Sequence, residues 1–206
     1  MKKVLDNFIV LEGLDGSGTT TQLEKIAERF DRDEKAVHAT FEPTTSALGK
    51  LVRSVLKKDL VTTPLALAMM FAADREDHLN NPVHGITHRL SGGETVICDR
   101  YIFSSLAYQS IDCTYDRVSQ LNDFPYPAFI FYIDTPTEVC MQRIYRRDVQ
   151  RELFEEDAYL NKVRQLYEKS FTDLPKEVTF VRIDGSKPIE TVTEEIVEIL
   201  KQYHVL

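Results

Sequence analysis

Short apolar runs alternate with longer stretches of helical periodicity along this chain. The runs Phe8–Glu12, Ala36–Thr40, Thr95–Cys98, Ala128–Ile133 and Val178–Ile183 lack polar alternation, the pattern of strands covered on both faces. Between them, apolar residues recur at helical spacing over Thr20–Phe30, Ala47–Lys57, Pro64–Leu79, Phe103–Gln109, Thr137–Arg147, Glu156–Thr172 and Ile189–Gln202. Asn80-Asn81-Pro82 interrupts the third of these, because proline lacks the backbone donor a helix needs. A second helical piece is predicted up to Leu90, closed by Ser91-Gly92-Gly93. The alternation predicts a three-layer α/β fold: a five-stranded parallel sheet, helices on both faces, and ligands at the carboxyl ends of the strands. With no internal repeat, low-complexity tract or linker, residues 1–206 read as one domain, any insertion serving as a lid.

Composition narrows the partners. A net charge of -8 argues against general affinity for nucleic-acid backbones or anionic membranes, while leaving room for a local basic pocket. Cys98, Cys113 and Cys140 are odd in number and lack metal-ligand spacing, so they read as reduced thiols of a cytoplasmic protein. The five histidines show no ligand spacing either. No signal peptide is read in the first residues, and no run approaches a membrane span.

The first strand runs into Gly13-Leu14-Asp15-Gly16-Ser17-Gly18-Thr19-Thr20, followed by a helix. This is the layout of the phosphate-binding loop G-x-x-x-x-G-K-[ST], with Thr19 at the lysine position. Glycines permit the backbone geometry in which several N–H groups converge on phosphate oxygens at a helix N-terminus. Thr20 stands where a hydroxyl would ligate Mg²⁺. The absent lysine normally follows the β- and γ-phosphates through transfer; losing one preorganised donor of this kind costs roughly 10²–10³ in rate elsewhere. Lys25 does not restore it, lying about two helical turns further on.

Three further clusters fit an anionic ligand. Asp99-Arg100-Tyr101 follows a strand, where a carboxylate can hold Mg²⁺ and an arginine fork can reach two phosphoryl groups. Alone, the pair reads equally as a strand-end cap. Phe71 and Arg75 share a helical face, a ring for stacking beside a donor fork, though such a Phe is more often plain core. The basic stretch from Arg143 to Arg151, with Arg146 and Arg147, is suited to a lid over a triphosphate; on charge alone it reads as a solvated face.

Taken in order, these elements resemble thymidylate kinases. The resemblance runs from Phe8 through Phe171 and includes Phe41-Glu42-Pro43-Thr44, Gly49-Lys50-Leu51-Val52-Arg53, Phe71-Ala72-Ala73-Asp74-Arg75, and Asp99-Arg100-Tyr101 leading into Ser104-Ser105-Leu106-Ala107-Tyr108-Gln109. It implies a three-layer P-loop kinase fold with a short lid at about 143–155, transferring phosphate from ATP to dTMP with Mg²⁺. It implies that Gly13, Asp15, Gly16, Ser17, Gly18, Thr19 and Thr20 hold the ATP phosphates. Arg53 and Arg100 would bind the dTMP phosphate, Phe71 would stack on thymine, Arg75 and Ser105 would bond its polar edge, and Tyr108 would crowd the ribose 2′ position. Thr20 and Asp99, with Asp15, directly or through water, would hold the metal; Asp15, Arg100 and the lid arginines Arg146, Arg147 and Arg151 would serve catalysis. A homodimer is implied by the resemblance alone.

Thr19 keeps three readings open. The chain is an active dTMP kinase in which Arg100 and the lid arginines compensate for the lysine; or a nucleotide-binding protein that has lost catalysis; or a P-loop kinase for another acceptor. An acceptor site that looks complete favours the first, and Arg53 with Arg100 favours an acceptor already carrying a phosphate.

Overall fold

The computed structural model describes residues 3–146 and 157–206. Five parallel strands, β1 (Val4–Gly13), β2 (Val37–Phe41), β3 (Thr95–Asp99), β4 (Tyr126–Asp134) and β5 (Thr179–Asp184), form one sheet in the order β2-β3-β1-β4-β5. The helices are α1 (Thr19–Arg32), α2 (Ala47–Leu56), α3 (Pro64–Asn80), α4 (Ile86–Ser91), α5 (Ile102–Tyr108), α6 (Tyr115–Leu121), α7 (Thr137–Arg146), α8 (Asp157–Ser170) and α9 (Ile189–Gln202). This is the three-layer α/β arrangement expected from the sequence.

Strand geometry sorts the core onto two faces, since successive side chains point opposite ways. Phe8, Val10, Val96, Cys98, Ile130 and Tyr132 pack with Phe103, Val118, Val163 and Tyr167 on one side. Ile9, Leu11, Ile97, Phe129, Phe131 and Ile133 pack on the other with Leu23, Ile26 and Phe30 of α1 and Val192, Ile196 and Leu200 of α9. A smaller cluster of Val52, Val55, Leu56 and Leu67 joins α2 to α3. From Phe8 onward central β1 thus has no solvated face, which is why its sequence lacks alternation there.

The largest departures from expectation are the early start of β1 and an additional helix, α6. β1 starts at Val4 because Val4 and Leu5 pair with Tyr126 and Pro127 before a register shift, where Asn7 takes φ 57°. Helix α6 was not anticipated: its seven residues bury Val118 fully but are too short to show a period, and its start is set by Thr114, whose side chain accepts from the Arg117 N–H. The break after α3 and the closing Gly92 of α4 fall where Pro82 and the glycines place them.

Strand order fixes where a ligand sits. From β1 the chain turns through α1 toward β2; from β3 it turns through α5 and α6 toward β4 on the opposite face. Adjacent β1 and β3 therefore send their connections apart, leaving a crevice at their carboxyl ends. The glycine-rich loop and Asp99-Arg100 border it.

Candidate active site

Tight packing shapes the loop. Gly16 has φ +81°, and a Cβ there would lie 2.6 Å from the Cys140 carbonyl oxygen; Gly18 has φ +107° at the N-cap of α1. The outward carbonyls are held: Ser17 O accepts from the Thr135 hydroxyl at 3.1 Å and from Arg143 Nη1 at 2.9 Å, and Arg143 Nη2 donates to Gly185 O at 3.0 Å. Arg143, on α7, was read only as part of a basic stretch. The helical period places it one turn before Arg146, and the fold brings it onto the loop. Ser17 Oγ is buried without a partner. Thr19 is buried as the first residue of α1, and Lys25 is turned to Glu28 at 3.0 Å.

At the crevice, Thr20 Oγ1 donates to Asp99 Oδ2 at 2.6 Å, while buried Asp99 Oδ1 has no partner. A hydroxyl and a carboxylate with an open oxygen, beside a helix N-terminus, are hard oxygen donors of the kind a divalent cation takes with phosphates. These residues fit Mg²⁺.

Arg100 adopts φ +70°, a left-handed conformation costly for a side-chain-bearing residue, and its N–H is anchored to Leu11 O at 2.9 Å. The turn sends its guanidinium over the loop, where Nη2 pairs with Asp15 Oδ1 and Nη1 donates to Ser104 Oγ at 3.2 Å. Tyr108 lies under the same guanidinium, 5.2 Å from it, and its hydroxyl accepts from the Asp15 N–H at 2.9 Å. Burial, then the charge of Asp15, pushes the Tyr108 phenol well above its usual range, so it stays neutral.

Beside this pair opens a cavity of about 110 Å³ whose wall includes Asp15, Phe71, Arg75, Arg100, Ser105 and Tyr108. Residues distant in sequence are thus brought to one pocket. Arg75 is almost fully buried: Nε donates to Glu42 at 2.7 Å, Nη2 to Tyr101 O at 3.1 Å, and Nη1 to Asn122 Oδ1. Ser105 Oγ and Gln109 Oε1, one turn apart, are buried in the pocket wall without partners. Glu42 and Gln109 stood in the quoted motifs without a role, and Asn122 went unremarked; for Gln109 the i,i+4 spacing from Ser105 was the available signal. Arg53 stands apart from this wall, its guanidinium over the Phe41 ring and donating to the carbonyls of Pro43 and Thr44. Glu42, His78 and Cys98 converge within 4.8 Å, a grouping their sequence spacing hides. Glu42 is bonded by Arg75 and His78, and the other His78 nitrogen by Thr40.

A second cavity of about 160 Å³ lies across the loop, bordered by Ser17, Gly18, Arg143, Gly185 and Lys187. Arg146 is exposed at the end of α7. Arg147 and Arg151, with most of the expected lid, lie outside the described residues.

The sequence profile of the family described as "Thymidylate kinase" matches residues 11–196, nine-tenths of the chain. This chain belongs to the thymidylate kinase family. Among the family's members, the Treponema pallidum protein named "Putative thymidylate kinase" is 41% identical, the alignment covering 98% of this chain and 99% of the relative. The "Thymidylate kinase" of Staphylococcus haemolyticus is 35% identical, covering 95% and 98%. That of Leptospira interrogans serovar copenhageni is 33% identical, covering 97% and 96%. Membership makes the chain an enzyme of a kinase family. Among the described residues, no helix is long and apolar enough to cross a membrane.

Proposed function

We propose that this protein transfers the γ-phosphoryl group of ATP to dTMP, giving dTDP and ADP in the cytoplasmic supply of dTTP. One observation carries the reading: the Asp15–Arg100 pair joins the glycine-rich loop to the wall of a pocket that also includes Phe71, Arg75, Ser105 and Tyr108. A flat ring, a donor fork and two unpartnered polar atoms on Ser105 and Gln109 suit a base with a carbonyl–imide edge. Tyr108 crowds the place of a ribose 2′-hydroxyl, favouring a deoxynucleotide.

In this reading, the loop N–H groups and Thr20 receive the donor phosphates, and the cavity beside Arg143 and Lys187 receives the rest of the donor. Thr20 and Asp99, with Asp15 directly or through water, would hold Mg²⁺, which would supply positive charge to offset that of the phosphates. Arg100 holds the acceptor phosphate toward the donor. An oxygen of that phosphate forms the new bond to the γ-phosphorus while the bond to the β-bridging oxygen breaks, leaving ADP. Arg53 supports the acceptor phosphate by a change of side-chain position, since its fork lies on backbone carbonyls. Arg146, Arg147 and Arg151, with Arg100, supply the charge that Thr19 does not, as phosphoryl transfer is catalysed chiefly by positioning and charge. Residues 1–206 act as one domain, with a lid at about 143–155.

A second copy of the chain is the proposed cover for the exposed apolar face of Leu48, Leu51, Leu65 and Met69 on α2 and α3.

Thr19 itself favours one competing reading, a nucleotide-binding protein without transfer. ADP formation from Mg-ATP, with and without dTMP, in wild type and Thr19→Lys, separates the two. Brisk dTMP-dependent turnover in the wild type is expected. A silent wild type that binds dTMP and is revived by lysine would put the binding protein in its place.

A further inference from the structure

Glu12, the penultimate residue of β1, is a fully buried carboxylate that the reading above does not use. Its Oε1 accepts from the Tyr101 N–H at 2.8 Å and the Ser104 N–H at 3.3 Å, and its Oε2 from the Ser104 hydroxyl at 2.6 Å and the Tyr167 hydroxyl at 3.0 Å. These donors belong to the turn carrying Arg100, the first turn of α5, and α8. Tyr167 OH also lies 3.1 Å from Gly13 O, 2.7 Å from Ser104 Oγ and 3.4 Å from Arg100 Nη1. Both hydroxyls that receive Arg100 Nη1 are therefore themselves oriented by one carboxylate.

We propose that Glu12 is a positioning residue for Arg100: its anion fixes Ser104 and Tyr167, which hold the guanidinium over the phosphate loop. The inference rests on the phosphoryl-transfer reading. A hydrophobic residue would fill the site at lower cost, since a buried carboxylate is unfavourable unless its lone pairs are satisfied. Here four donors satisfy them, and they converge on an arginine whose left-handed backbone needs holding. The ionisable or charged groups facing Glu12 are Arg100 and Cys98 from the β3 end, Tyr132 paired across on β4, and Tyr167 on α8. Burial pushes Glu12 up to about 7, with Ser104 and Arg100 pulling it back, so its charge changes near neutrality.

Glu12→Gln keeps the shape and removes the charge. Expected is a fall in kcat of about tenfold or more with KM for dTMP changed less than threefold, the result of a reacting geometry loosened without loss of uniform binding. The acid limb of kcat against pH should also shift relative to wild type; the dTMP phosphate titrates in both enzymes, so the difference between profiles is the readout. Tyr167→Phe should give a smaller fall and keep the wild-type limb. Wild-type kcat and pH profile in Glu12→Gln would overturn the proposal, as would a loss confined to KM or to melting temperature. A signal independent of turnover is the Arg100 Nε–H resonance in arginine-labelled protein, assigned with Arg100→Lys. It should broaden or move in Glu12→Gln; an unchanged resonance would overturn the proposal. If the wild type transfers nothing to dTMP, the functional reading fails, and the resonance still decides the role of Glu12.

Discussion

At Glu12 stability and function pull in opposite directions. Its carboxyl is raised to about 7 by burial, against 4.5 when exposed. Between those values the folded protein keeps a proton that the unfolded chain has released, so folding stability falls as pH rises through this window. The contribution is about 3 kcal/mol if fully expressed. Glu12→Gln should therefore gain stability over wild type between pH 5 and pH 8, measured by urea unfolding at both; equal differences at the two pH values would contradict it. Arg75 is the reverse case, a buried cation whose partners depend on it. Arg75→Met takes a charged donor from Glu42 Oε2 and a donor from Asn122 Oδ1 and should lose about 3–5 kcal/mol. Thermal unfolding checks this, with a loss below 1 kcal/mol counting against the network.

At the scale of elements, the glycine-rich loop is a β1–α1 connection held by α7. Gly16→Ala must accommodate a Cβ 2.6 Å from a backbone oxygen at a left-handed φ, so it should displace α7 and abolish ATP binding, as read by calorimetry. Arg143 fixes the same loop through the carbonyls of Gly16 and Ser17. If it stands in part for the missing lysine, Arg143→Ala should weaken ATP binding more in wild type than in Thr19→Lys. A double-mutant cycle reads the coupling, expected at about 0.5–3 kcal/mol, and additivity would show that the two positions act independently. Helix α3 plays the corresponding part for the pocket: Asp74 accepts from Thr44 N–H and hydroxyl and from the Ser46 hydroxyl, tying the β2–α2 connection to the helix that carries Phe71 and Arg75.

For the whole molecule, the sheet order determines that two cavities flank one loop, at the divergence of β1 and β3 connections, and the proposed reading assigns them to acceptor and donor. Chelation with EDTA should stop turnover and leave the melting temperature within a few degrees, because the folded sheet and its two cores do not depend on Thr20 and Asp99 being ligated. A collapse of the fold on chelation would point to a structural metal. The α2–α3 face makes a separate prediction: Leu51→Glu with Met69→Glu should convert a dimer to a monomer in sedimentation velocity, and an unchanged sedimentation coefficient would remove that face as the interface.

The sequence determined what depends on local chain chemistry. Unalternating strands, helix periods, Pro82 and the glycines are short-range physics, and from them came the parallel sheet, the loop and the likeness to thymidylate kinases. Only the tertiary structure decided which side chains meet. Glu12 reads as one more polar residue before a glycine until β1, α5 and α8 bury it among donors from Tyr101, Ser104 and Tyr167. The sequence reading singled out Arg146 in the basic run and left Arg143 without a role, whereas α7 turns Arg143 to the loop and leaves Arg146 exposed. Helix α6 and the Asn122 that caps it were invisible because seven residues carry too little period, yet they bury Val118 and place an acceptor on Arg75. Periodicity records which face of an element is buried; it holds no record of which distant element covers that face, and the chemistry of a buried charge is set by that covering.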